Sequence, residues 1–183
     1  MRHGLLATPR VEIHGHRGAR WLYPEHSIAG FEHAIAAGAD FVELDVVFTA
    51  GDVPVVWHDP ILTRRKCQGP ERRAVVRELE LFELAEYSYG GRLNLRFPEQ
   101  SRTPGLRIAT LDQVLGLATR GTFQFNIEIK SHPGRLTPPP RVQAERVLEA
   151  VRAHRLEQRV RLQSFDREVL EAVREVAPEV EES

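Results

Sequence analysis

Along this chain, short runs of β-branched and aromatic residues alternate with longer stretches whose apolar positions recur every three or four residues. Runs of the first kind lie at Val11 to His16, Phe41 to Thr49, Val53 to His58, Phe123 to Lys130 and Val160 to Phe165. A strand cannot pair with a parallel neighbour without a long crossover, and the intervening helical stretches supply one. The order therefore predicts an α/β fold built on a parallel sheet. Between the first two runs, Ile28, Phe31 and Ile35 form an apolar helix face, with Ser27 placed to cap its start and Gly38 to end it.

Further helices follow the same logic. Thr110 and Gln113 have capping-box spacing ahead of Leu111, Val114 and Leu115. A helix from about Arg141 to His154 turns Val147, Leu148 and Val151 inward after the stiff Pro138 to Pro140 turn. Asp166 is a good N-cap for a last helix burying Val169, Leu170, Val173 and Val176. Residues 61–108, containing "CQGPERR" and "YGGRLNLRFPEQSRTPG", break the repeat. Long insertions of this kind are functional covers or disordered segments, and Leu79, Leu81, Phe82 and Leu84 predict a short helix within this one.

The chain has 183 residues, 42% of them apolar and 28% charged, which suits one sizeable globular domain. Residues 1–10 read as an N-terminal extension and 11–183 as the domain. A formal net charge of -1 offers no overall positive field for nucleic acid or an anionic membrane surface, so an anionic ligand must be held locally. The single cysteine, Cys67, excludes an intrachain disulfide and reads as an unreactive loop thiol. Leu5 to Ala7 is too short and too soon interrupted by Pro9 for a signal peptide, and no run approaches transmembrane length, so a cytoplasmic location is expected.

Residues two apart in a strand share a face, so Glu43 and Asp45 point one way while Val42, Leu44 and Val46 pack the other. In "NIEIK", Glu128 and Lys130 share a face in the same manner. Three carboxylates at strand ends repel one another, and the ordinary remedies are protonation or a bound cation. Hard oxygen donors favour Mg²⁺ or Ca²⁺. For a single carboxylate, a surface salt bridge with one of the arginines is the better reading; for the set it is weaker. His16 and His58 each end an apolar run, where imidazoles can serve as general base and general acid. Arg17 presents a planar fork suited to phosphate, and Lys130 adds a second cation. His14 shares the face of His16 and fills the interior; His3, His33, His132 and His154 read as structural. A zinc site at His16 and His58 is disfavoured by the surrounding oxygens and the lack of paired cysteines.

In order, "HGHRGA", "PEHS", "GADFVELDVVFT", "VPVVWHDPIL", "TLDQVL" and "FNIEIK" resemble the glycerophosphodiester phosphodiesterase family, whose pattern runs HRG, PEN or PEH before a small hydroxyl residue, GAD-x-x-E-x-D-V, H-D and N-I-E-I-K. The resemblance spans Val11 to Val180. It implies a TIM barrel with its site at the carboxyl-end face of the strands. It further implies a divalent ion on Glu43, Asp45 and Glu128, with Glu25 supporting nearby. His16 and His58 would be the acid–base pair, and Arg17 and Lys130 would hold the phosphate of a small glycerophosphodiester. The products would be sn-glycerol 3-phosphate and an alcohol.

A complete TIM barrel has eight strands and about 250 residues, whereas this sequence reaches "APEVEES" where a sixth strand should begin. The expected barrel is therefore incomplete, with about five strand–helix units and an open edge through which self-association is a route. Two alternatives stand beside the leading reading. One is a phospholipase-type barrel phosphodiesterase, against which no amphipathic membrane-docking stretch stands out. The other is a catalytically impaired fragment that binds phosphate esters or a partner chain.

Overall fold

The computed structural model describes residues 11–92, 94–132 and 134–182. The expected extension at 1–10, with His3, lies outside the described residues. A parallel sheet of β1 (His14–His16), β2 (Phe41–Phe48), β8 (Gln124–Ile129), β9 (Val160–Gln163) and β10 (Glu181–Glu182) runs in that spatial order. The remaining strands are β3 (Pro54–Val56), β4 (Ile61–Thr63), β5 (Cys67–Gln68), β6 (Arg73–Val75) and β7 (Ser88–Tyr89). The helices are α1 (Ile28–Ala36), α2 (Leu81–Leu84), α3 (Leu111–Leu115), α4 (Pro140–Ala153) and α5 (Arg167–Val176). The α/β class and mostly parallel sheet are as expected. Among the described residues, no helix is long and apolar enough to cross a membrane.

Two strand expectations need correction. The run at Val53 to His58 pairs antiparallel with β2, Val46 opposite Val56 and Phe48 opposite Pro54. Only residues 49–53 join the two strands, a hairpin-length connection, whereas a parallel return needs a crossover of about a dozen residues. The fifth parallel strand is instead β10, whose two residues pair with Arg161 and Leu162. It falls in "APEVEES", where a sixth strand was expected to begin, although two glutamates carry no strand pattern of their own.

Alternation along the strands sorts side chains onto two faces. Val42, Leu44, Val46 and Phe48 of β2, with Phe125, Ile127 and Ile129 of β8, are buried in one core beneath the helices. The helix ends follow the sequence signals: Ser27 accepts from Gly30 N–H, Asp166 from Glu168 N–H, and Thr110 and Gln113 complete a capping box. Leu170 and Val176 of α5 are only partly buried. On the opposite face stand Glu43, Asp45, Asn126 and Glu128, all buried polar groups.

The insertion at 61–108 is structured. Its β4–β6 and β5–β7 ladders are both antiparallel, and a second core joins Val47 and Val55 of the sheet to Trp57, Leu62, Leu84 and Tyr89. The expected short helix is α2, but it buries Leu84 and leaves Phe82 73% exposed. Cys67 sits in β5 rather than a loop, and burial pushes its thiol up to about 12, as fits an inert group.

The turn after β1 depends on Gly18. Its φ is +78°, and an added Cβ would lie 2.8 Å from the Gly30 carbonyl carbon. Gly18→Ala should therefore cost about 1–3 kcal/mol. This would be read as a lowered urea midpoint by circular dichroism; a midpoint equal to wild type would show that the turn relaxes freely.

Candidate active site

Sheet register builds the acidic centre. His16 pairs with Glu43 across β1 and β2, and Asp45 pairs with Glu128 across β2 and β8. Oxygens of Glu43, Asp45 and Glu128 lie within 4.8 Å of one another, and all three residues are buried. The antiparallel course of β3 brings the next segment back along β2, where Trp57 N–H donates to the Asp45 carbonyl at 3.0 Å. His58 follows directly in the chain.

The cations expected on phosphate are engaged with these acids. Arg17 Nε is 2.9 Å from Asp45 Oδ2, its Nη1 is 3.1 Å from Glu25 Oε2, and its backbone N–H donates to Glu43 Oε2 at 2.7 Å. Lys130 Nζ is 3.0 Å from Asp45 Oδ1 and also ion-pairs with Glu128. The Asp45 carboxylate oxygens nevertheless lack hydrogen-bond geometry to any partner among the described residues. They are held by charge rather than by directed bonds.

Protonation follows from these surroundings. Burial raises the Asp45 pKa, but His26, Arg17 and Lys130 together drive it well below the ordinary carboxylate range. Glu43 goes the other way: burial and the Asp45 charge push it up to about 7, against the Arg17 N–H. Burial opposes ionisation of Glu25 as well, yet the Lys66 ammonium, 2.9 Å away, brings it down to about 2. Glu25 thus sits at the edge of the cluster, joined to it through Arg17.

The two histidines stand in different settings. His16 is half exposed, and partial burial with the Arg17 and Arg20 charges favours its neutral ring. Arg20 Nη1, a permanent donor, lies 3.2 Å from His16 Nδ1, so Nδ1 accepts and Nε2, 3.8 Å from Glu43, carries the ring proton. His58 Nδ1 lies 2.6 Å from Asp59 Oδ1. The hydrogen bond from His58, reinforced by Lys66, keeps Asp59 ionised far below its usual range.

Several site neighbours were not singled out from the sequence. His26, within "PEHS", is fully buried with Nε2 3.1 Å from Asp45 Oδ2. Asp59 follows His58 directly, and Arg20 stands four residues after His16; either spacing could have flagged them. Lys66, contributed from the insertion, and Gln163 on β9, 3.5 Å from Glu128, had no local signal. Phe165, 91% exposed, lies 5.9 Å from Lys130 by its ring centroid. Of the histidines set aside, His33 contacts the Tyr23 ring and His154 pairs with Asp112, while the His132 carbonyl accepts from the Thr137 hydroxyl. His14 stacks on Phe41 with ring centroids 4.4 Å apart.

The fold and donor set define an α/β protein with an acidic cluster able to hold a metal ion near the carboxyl ends of parallel strands. Residues 16–182 match the glycerophosphoryl diester phosphodiesterase family, and the chain belongs to it. A glycerophosphodiester phosphodiesterase of Bacillus altitudinis is 33% identical over 93% of this chain and 64% of its own length. A crystal structure of a Silicibacter pomeroyi protein carrying the family name superposes with a TM-score of 0.87 at 32% identity, covering 94% of this chain and 63% of that one. The glycerophosphodiester phosphodiesterase of Agrobacterium tumefaciens gives a TM-score of 0.74 at 28% identity, over 94% and 66%. The chain thus spans just under two thirds of these relatives' lengths.

Crowding at Glu43 has a measurable consequence. A carboxyl whose folded pKa is raised from 4.5 to about 7 contributes stability that is fully present below pH 4.5 and lost as pH rises through 7. In chelator, Glu43→Gln should match wild type near pH 4.5 and exceed it above pH 7 by on the order of 3 kcal/mol. Urea titrations across this range test it; parallel stability curves for the two proteins would contradict it.

Proposed function

We propose that this chain hydrolyses glycerophosphodiesters to sn-glycerol 3-phosphate and an alcohol, with a divalent ion, Mg²⁺ or Ca²⁺, at Glu43, Asp45 and Glu128. Its parallel strands are read as part of a TIM barrel, with the site at the carboxyl ends. The observation that carries the reading is the convergence of three buried carboxylates within 4.8 Å. His16, Arg17 and Lys130 stand against the same carboxylates. Hard oxygen donors suit either ion, and the Asp45 oxygens without directed partners suit an added cation.

A divalent ion bound there supplies Lewis-acid polarisation of a phosphoryl oxygen and alignment of the glycerol hydroxyls. The chain's own residues do the rest. Lys130 shares two carboxylates with the proposed ligand set, so a competing cation there leaves its ammonium available to phosphate. Arg17 adds a fork of donors to charge growing on the equatorial oxygens. His58 is held at Nδ1 by Asp59, which leaves Nε2 as the atom that exchanges a proton with the reacting oxygens. His16, with Nε2 3.8 Å from Glu43, completes the proton traffic, one ring taking a proton from the attacking oxygen as the other gives one to the leaving alcohol. Glu25 holds Arg17 and Lys66 in place.

His58→Ala should lower turnover of glycerophosphocholine by about 10²- to 10⁴-fold with an unchanged unfolding transition. Chelation should abolish it, and Mg²⁺ or Ca²⁺ should restore it. Wild-type rates in the variant would overturn the histidine's role, and full activity in chelator would overturn the metal's.

A further inference from the structure

Beside the acidic cluster, a cavity of about 1050 Å³ opens between the loop after β1 and the insertion. Glu25 and Asp59 line it on the side of the proposed catalytic groups, and Arg65, Lys66, Arg92 and Arg96 line it elsewhere. Lys66 engages both carboxylates, at 2.9 Å from Glu25 and 2.8 Å from Asp59. That leaves Arg65, Arg92 and Arg96 without an ion pair among the described residues. In a chain of net charge -1, three uncompensated guanidiniums around one opening make a local positive field at odds with the whole.

The basic wall is tied to the catalytic loop. Ser101 N–H donates to the Leu22 carbonyl at 2.8 Å, and Gln100 Nε2 donates to the Arg20 and Tyr23 carbonyls at 2.7 and 2.8 Å. Phe97 is flanked by the Arg20 guanidinium at 4.7 Å and that of Arg96 at 5.8 Å. The cavity is therefore a continuation of the site, at the upper end of the roughly 300–1,000 Å³ usual for ligand pockets. With glycerol aligned at the carboxylates, the other arm of the diester is the one left to enter it.

We propose that this cavity receives the leaving alcohol of the diester and selects one that carries an additional anionic group, a carboxylate or a second phosphate. This rests on the phosphodiesterase reading and adds the class of head group. Arg65, Arg92 and Arg96 are exposed, so their attraction acts on capture and is screened by salt.

Glycerophosphoserine and glycerophosphoethanolamine differ by one carboxylate and make a direct test. At low ionic strength the wild-type chain, supplied with Mg²⁺ or Ca²⁺, should favour the serine ester about tenfold in kcat/KM, chiefly through KM. The preference should shrink as NaCl approaches about 1 M, where the screening length falls to about 3 Å. Arg65→Gln/Arg92→Gln/Arg96→Gln should erase the preference and leave the ethanolamine ester's kcat/KM unchanged. If that variant does not fold, the single changes Arg65→Gln and Arg92→Gln should each reduce the preference. Equal use of the two esters by wild type, an unaltered preference in the variants, or an equal loss for both esters would overturn the proposal. Calorimetric binding of both esters is measured in parallel. Tighter binding of the serine ester without turnover of either would sink the phosphodiesterase reading and keep the cavity's preference; turnover of both without discrimination would do the reverse.

Discussion

The parallel pairing of β2 with β8 places Asp45 directly against Glu128, and much of the site can be understood as a response to that placement. Like charges opposite one another on neighbouring strands repel. Shifting the register by one residue would relieve the repulsion, but it would turn Leu44, Val46 and Ile127 out of the helix-covered core. The apolar face thus enforces the acidic one. Lys130 and Arg17 answer the charge directly, while His26, buried beneath, closes the remaining side of Asp45. Glu43 is left as the member whose ionisation is least supported, and a further cation would most benefit it.

The second core explains why an insertion of nearly fifty residues can take part in such a site. A flexible cover could not hold Lys66 at hydrogen-bond distance from both Glu25 and Asp59 without losing conformational entropy on each encounter. Here Trp57, Leu62 and Tyr89 pack against Val47 and Val55 of the sheet, so that cost is offset by burial during folding. The hairpin at β3 is part of the same device: it supplies Val55 to the second core and Val56, the next residue, to the first.

Much of this was legible along the chain because the governing forces are local. Period-two alternation separated Glu43 and Asp45 from Leu44 and Val46, and capping chemistry fixed the starts of the helices at Ser27, Thr110 and Asp166. Strand direction is not legible in composition: Val53 to His58 reads like any buried strand, and the signal that it turns back is the shortness of its connection to β2. Lys66 and Gln163 were missed for a related reason. Their contacts with Glu25 and Glu128 cross 41 and 35 residues of sequence, distances over which periodicity carries no information. Arg17 and Lys130 were recognised as cations of the site, but their existing pairings with the carboxylates could only be seen in three dimensions.

The two imidazoles stand in different settings, each set by a neighbouring side chain. His16 lies between the charges of Arg17 and Arg20, which penalise an imidazolium, and Arg20 fixes its Nδ1 as an acceptor. His58 Nδ1 rests on the ionised Asp59, a contact that leaves Nε2 unengaged. These settings come from each histidine's near neighbours in sequence, Arg17 and Arg20 on one side and Asp59 on the other. They therefore travel with the segments that carry the rings.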